Sequence, residues 1–174
     1  MDILEIIKTR RTIRKFKNLK VEKEKIKKVI EAARWAPSAA NLQPIEFIVV
    51  DKDDIKEKIV EITGHKRYKY APIVILVCIN FGQYKKITKY YQLRSQLGII
   101  DASLAIQNLM LTAHTEELGT AWGDIFKKEE IRQLFNLPKN IEPFILIPLG
   151  YPEGELPQPP ERRSLDQLMH WNSW

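Results

Sequence analysis

Apolar and small residues crowd positions 97–118 on more than one helical face. Ile99, Ile100, Ala102, Leu104, Ala105, Ile106, Leu109, Met110, Leu111 and Ala113 overfill the single stripe that a surface helix needs. Asp101, Gln107, Asn108 and His114 interrupt the run, short of the roughly 20 apolar residues a bilayer demands. The pattern therefore predicts a core helix, closed by Gly119 as a stop signal. Its surplus apolar surface needs a sheet on each side, or the same helix of a second subunit across a two-fold axis, and both are expected.

The remaining periodicities surround this helix. Ile3, Ile6 and Ile7 predict a first helix over 2–8, and Ile26, Val29, Ile30 and Ala33 a second, ended by Pro37. Strands are expected at 45–50, 72–79 and 144–149, with a helix through Ile55, Ile59 and Ile62 after the first. Residues 81–94 read as a partly helical excursion near a ligand entrance. Residues 120–124 read as a short strand opening into a loop, where Gly123 supplies backbone conformations closed to other residues. Ile131, Leu134 and Phe135 mark another short helix. The Pro-rich tail runs out to Ser164, whose spacing to Gln167 has the form of a capping box. Trp171 and Trp174 predict that this tail docks, on its own subunit or on a partner.

With 174 residues and 44% hydrophobic content the expectation is one domain, 1–174, with an ample core. The first residues lack a long apolar segment and a small-residue cleavage site, so a cytoplasmic protein is expected. Lys and Arg number 28 against 22 Asp and Glu. The surplus admits nucleic acid, acidic lipid or a phosphorylated small molecule as partner. Lys23, Lys25, Lys27 and Lys28, however, alternate with Glu22, Glu24 and Glu31 as an ordinary solvated face. The lone cysteine, Cys78, lies in a buried run; His65, His114 and His170 stand apart, and neither HExxH nor CxxC occurs. No metal site or catalytic triad is expected. The segment 65–70, basic with interleaved aromatics, has a composition also met in single-strand nucleic-acid surfaces.

Two stretches carry candidate chemistry. In 9–16, Ile13 and Phe16 can anchor inward while Arg10, Arg11, Thr12 and Arg14 offer donors to a common anion; arginine forks suit phosphate oxygens. A solvated basic surface is the plainer reading of the charge pattern alone. In 36–44, small residues and amides sit between two prolines, so a flat ligand could approach the backbone while Asn41 and Gln43 hydrogen-bond to it; a simple turn before a strand fits equally well.

Four segments together resemble the FMN-dependent nitroreductase family, especially its small single-domain members. They are Arg10-Arg11-Thr12-Ile13-Arg14, Ala36-Pro37-Ser38-Ala39-Ala40-Asn41-Leu42-Gln43-Pro44, Leu118-Gly119-Thr120-Ala121-Trp122, and Gly150-Tyr151-Pro152 with the arginines beyond it. The resemblance implies an α+β fold: a nitroreductase-like mixed sheet flanked by helices, a central buried helix, and an intertwined homodimer with FMN at its interface. It also implies that Arg10, Arg11, Thr12 and Arg14, with Arg162 or Arg163, hold the FMN phosphate and part of the ring system. Pro37, Ser38, Ala39, Asn41 and Gln43 then belong to the cofactor site contributed across the interface. Trp122, Gly123 and Asp124 would face the hydride-carrying edge of the flavin. Where typical members have a bulky apolar residue and then glycine after the tryptophan, this chain has Gly123-Asp124, and Glu161 stands near the position where a lysine is common. The implied activity is ping-pong reduction of nitroaromatics, quinones or flavins by NADH or NADPH, with no protein nucleophile. Alternatives from other classes are a basic nucleic-acid binder, a family member specialised for flavin fragmentation or dehalogenation, and a flavin sensor without useful turnover.

Overall fold

The computed structural model describes residues 2–86, 88–123 and 127–174. Four strands, β1 (Ile45–Val50), β2 (Ile73–Asn80), β3 (Gly119–Thr120) and β4 (Ile141–Gly150), form a sheet in the order β1-β2-β4-β3. The helices are α1 (Ile3–Thr9), α2 (Lys23–Arg34), α3 (Asp53–Thr63), the single turn α4 (Arg67–Tyr70), α5 (Arg94–Thr115) and α6 (Lys128–Leu134). The architecture is α+β, as expected. The mixed sheet is antiparallel throughout its named strands; parallel pairing is confined to the isolated bridge between Thr12 and Thr120.

The unbroken apolar run of β2 follows from its central place. Ile73, Ile75, Val77 and Ile79 pack on one face of the sheet with α2 and α5, while Val74, Leu76 and Cys78 pack on the other with α3 and α6. Between Val77 and Cys78 the register with β4 slips, leaving Phe144 without a partner. One extra residue inverts the facing of a strand. Ile141 accordingly joins the α3/α6 side while Ile145, Ile147 and Leu149, at the same parity, join the α5 side.

The core helix needs correction in two respects. One sheet covers it, not two: Ala102, Ala105, Ile106, Leu109, Met110 and Ala113 are buried against this sheet and α2, while Ile99, Ile100 and Leu104 are exposed at 51%, 54% and 41%. Its end is also not made by Gly119. Glu117 takes the left-handed conformation (φ 63°), and the Leu118 N–H returns to the Ala113 carbonyl at 2.8 Å. Gly119 lies in β3, where a Cβ would come within 2.6 Å of Ile13 Cβ.

Two further expectations change. Ser164 makes no side-chain cap, and only a short 3-10 turn, Leu165–Gln167, follows it. The tryptophan-bearing end of the tail does not dock on its own subunit, with Trp171 exposed at 77% and Trp174 at 100%; only the first part, through Pro157, is held to the body of the fold. The excursion after β2 is partly helical, as expected, in the form of two 3-10 turns, Gln83–Lys86 and Thr88–Leu93. Among the described residues no helix is long and apolar enough to cross a membrane.

Candidate functional site

Two constellations stand on α5, toward its opposite ends. The first begins where α1 ends. The chain runs on extended from Arg10, bridges Thr12 to Thr120 and donates the Ile13 N–H to the Thr120 carbonyl at 2.9 Å. Ile13 and Phe16 are buried as the sequence indicated. This anchorage presents Arg10 and Arg11 to a cavity of about 340 Å³, with His114, Glu117, Thr120, Pro152 and Gly154 on its walls.

The two arginines are employed differently. Arg11 spends its guanidinium on backbone, donating to the carbonyls of Lys8 at 2.6 Å, Arg10 at 3.0 Å and Pro157 at 2.9 Å, and so fastens the C-terminal segment over the cavity. Arg10 has a buried Nη1 with no hydrogen-bond partner. Burial, then Arg11 and Arg162, hold its pKa below the usual arginine value. A buried cationic donor without a partner is costly, and the geometry is that of an anion site awaiting its anion. Arg162 thus belongs electrostatically to the cluster. Arg14 is exposed and absent from the cavity wall, and Arg163 donates to the Gln167 carbonyl at 2.7 Å.

The second constellation is the loop between α2 and β1. Ala40, Asn41 and Gln43 all have left-handed φ, at 47°, 55° and 50°, although none is glycine and such backbone costs of order 1 kcal/mol or more per residue. The loop is bonded from beneath at its start. Asp101 on α5, 3% exposed, accepts the Ala39 N–H at 3.1 Å through Oδ1 and the Tyr84 hydroxyl at 2.6 Å through Oδ2. Burial, then this carboxylate, pushes the Tyr84 pKa up, so the phenol stays a donor. Ser38 Oγ accepts the Gln43 N–H at 2.9 Å, and Gln43 reaches Asn41 Oδ1 at 3.3 Å. A small apolar cavity of about 170 Å³ lies behind, bounded by Pro37, Pro44, Phe47 and Ala105.

Sequence reasoning missed Asp101 and His114 as participants, treating both as mere interruptions of an apolar run. A lone carboxylate on a core helix was the available signal, because a buried carboxylate must find donors. Near β3, Trp122 is partly exposed and meets Phe144 edge to face at 6.3 Å. Gly123 is required for space: the left-handed glycines among the described residues are Gly64 and Gly154, whereas a Cβ on Gly123 would run into the Tyr68 hydroxyl and the Leu146 carbonyl. Asp124 lies outside the described residues. Cys78 is inert as a nucleophile, since burial pushes its thiol up to about 12. The 65–70 segment is no stacking surface as a whole, because Tyr68 is fully buried and Lys69 pairs with Glu57.

The family model described as the Nitroreductase family matches residues 7–66 and 63–151, which include the braced loop and the arginine cavity except for its C-terminal wall. This chain belongs to the nitroreductase family. A relative from Methanothermobacter thermautotrophicus, named "Putative NADH dehydrogenase/NAD(P)H nitroreductase", is 40% identical over 157 residues, covering 87% of this chain and 78% of its own length. The solved structure of a nitroreductase family protein from Clostridium novyi superposes with TM-score 0.78 at 28% identity, covering 88% of this chain and 86% of that one. The fold is shared with an NADPH:FMN oxidoreductase from Vibrio harveyi solved with NAD+, at TM-score 0.86 and 23% identity over 99% of this chain and 77% of that one. Membership makes the chain an oxidoreductase of the nitroreductase family.

Proposed function

We propose that the protein is an FMN-dependent NAD(P)H oxidoreductase that acts as a homodimer on electron-poor acceptors such as nitroaromatics, quinones or free flavins. The observation that carries this reading is the unpartnered Nη1 of Arg10 in a cavity shared with Arg11. A phosphate there supplies the missing acceptor and lowers the mutual repulsion of the arginines. The residues present therefore fit the phosphate end of FMN. Bound FMN would supply the redox chemistry, taking hydride from NADH or NADPH and passing it on in ping-pong order.

The protein's part is binding, orientation and electrostatics. Arg10, with Arg162 close by in charge, grips the phosphate; Arg11 holds the C-terminal segment in place; Thr12 lies beside them on the bridge to Thr120. Arg14, exposed off the cavity wall, and Arg163, bonded to the Gln167 carbonyl, stand apart from this grip. Trp122 and Gly123 would lie toward the hydride-carrying edge; Asp124 is outside the described residues.

The loop of Pro37, Ser38, Ala39, Asn41 and Gln43 completes the site from the other subunit. Asp101, which holds the loop, and His114, which lines the arginine cavity, are separated by about 20 Å along the axis of one helix at 1.5 Å per residue. A two-fold axis near the exposed Ile99, Ile100 and Leu104 stripe brings the two ends of neighbouring copies together and covers that stripe. The exposed tail with Trp171 then has a partner to lie on.

The purified protein should be yellow, with a flavin visible spectrum and about one FMN per subunit. A colourless protein that cannot be reconstituted with FMN overturns the reading. Light scattering should give the mass of a dimer, and a flavin-loaded monomer overturns the dimeric site.

A further inference from the structure

His114 lines the arginine cavity from the last turn of α5. Its Nε2 lies 2.9 Å from Thr9 Oγ1 at the end of α1. The direction of that hydrogen bond can be settled from the donors. A threonine hydroxyl has one proton, and Thr9 directs it to the Glu5 carbonyl at 2.6 Å. The oxygen must therefore accept from His114, so Nε2 carries a hydrogen and the neutral ring leaves Nδ1 as its open position.

We infer that His114 is a proton-accepting member of the anion site: it becomes imidazolium as a phosphomonoester dianion enters, so that phosphate binding is coupled to uptake of one proton from solvent. The inference rests on the flavin reading above for the identity of the phosphate ester. Balance is simple. The neutral ring, a solvent proton and the dianion give imidazolium beside the dianion, and no other bond changes.

The charges around the ring give the sign. From the segment after α1 come the guanidinium groups of Arg10 and Arg11, and Arg162 of the C-terminal segment adds to the field at Arg10. From the turn after α5 comes the carboxylate of Glu117, on the same cavity wall. The Glu5 carboxylate of α1 is engaged with Lys8. With the cavity free, burial and then Arg10 and Arg11 hold the imidazole below its ordinary pKa, and the ring is neutral. A dianion cancels the arginine field and adds attraction of its own, and the carboxyl end of a helix also favours a cation. The pKa therefore rises on binding. Affinity for the dianion must then be greatest below the free-ring value and fall as pH climbs to the bound value, by about tenfold for each unit of pKa displacement. Riboflavin, which has no phosphate, escapes the coupling.

The test follows the imidazole signals of the 15N-labelled full chain, stripped of flavin, from about pH 5 to 9, the range that spans a histidine transition. His65 and His170 serve as internal references. Titrations are made alone, with inorganic phosphate, with riboflavin and with FMN. His114 should titrate later with phosphate or FMN than alone, and unchanged with riboflavin. Calorimetry near pH 7.5, where a phosphomonoester is mostly dianionic, should show FMN drawing protons from buffers of different ionisation heat. His114→Gln, which keeps an N–H for Thr9, should abolish the uptake and flatten the pH dependence of FMN affinity. A His114 titration indifferent to both phosphate and FMN overturns the inference, as does undiminished proton uptake in His114→Gln. A response to inorganic phosphate in a chain that takes no FMN sustains the inference and overturns the flavin reading alone.

Discussion

The arginine cavity and the Asp101 loop stand on the same helix and solve opposite electrostatic problems. At Arg10 a half-buried cation lies beside other cations, and its buried Nη1 has no partner. At Asp101 an anion is buried and both its oxygens are engaged. The first region is incomplete by itself and gains from a ligand. The second is complete and uses its completeness to hold three left-handed residues in place. A site that binds through one region and shapes through the other should respond to mutation in two separable ways: affinity without stability at the first, stability at the second.

The largest effect belongs to the second region. Asp101→Ala strands the Ala39 N–H and the Tyr84 hydroxyl in a buried place, each costing about 1–3 kcal/mol, so urea unfolding of the flavin-free protein should show a loss of about 2–6 kcal/mol. Tyr84→Phe removes one donor cleanly and should cost about 1 kcal/mol. Equal losses from the two substitutions would mean that the carboxylate does not hold the loop.

Arg10→Ala should do the reverse. Removing an unpartnered buried cation leaves the flavin-free protein unchanged or slightly more stable, while FMN loses a charge-assisted bond worth about 1.5–3 kcal/mol, roughly ten- to a hundred-fold in affinity. Riboflavin should lose far less. Arg14→Ala, at an exposed position off the cavity wall, should weaken FMN by less than Arg10→Ala does. If riboflavin and FMN weaken alike in Arg10→Ala, the phosphate end is misplaced.

In the proposed dimer the exposed stripe of α5 would connect the two regions through a second copy. Leu104→Asp should convert the dimer to a folded monomer by light scattering, and with it weaken FMN. Ile106→Asp, two positions on but fully buried against its own sheet, should abolish folding instead. A dimer unaffected by Leu104→Asp would separate the loop from the cavity and leave the arginine site without its other half.

What the sequence disclosed about these regions divides along the same line. Arg10, Arg11 and the 36–44 loop were legible because their chemistry is local: charges in a row, small residues between prolines. Strand β1 was read to the residue, and α5 was displaced by about one turn, since apolar periodicity reports the buried face better than the ends. The brace was not legible, because the partners of Asp101 lie 17 and 62 residues away along the chain. His114 was hidden in the same way, 105 residues from Thr9. The helix stop at Gly119 failed because Glu117 adopts the left-handed turn first, and Gly119 is needed instead where Ile13 passes. Composition favours glycine at both jobs and cannot separate them.

The smallest effect tests the brace most directly. Ala40 has φ 47°, and a Cβ in that region costs about 1–2 kcal/mol. Ala40→Gly relieves the strain but adds backbone freedom to the unfolded chain, worth about 0.5–1 kcal/mol. The net expectation is a stabilisation of about 0.5–1 kcal/mol. Asn41→Gly should gain less, since asparagine tolerates the left-handed region better than alanine. The gain at Ala40 exists only while the loop is forced. In an Asp101→Ala background the loop can relax to an ordinary backbone, and the same Ala40→Gly should then stabilise nothing, because residues sharing a constraint couple rather than add. A gain of the same size in both backgrounds would show that the left-handed loop is held by the two flanking prolines, and that Asp101 contributes stability without shape.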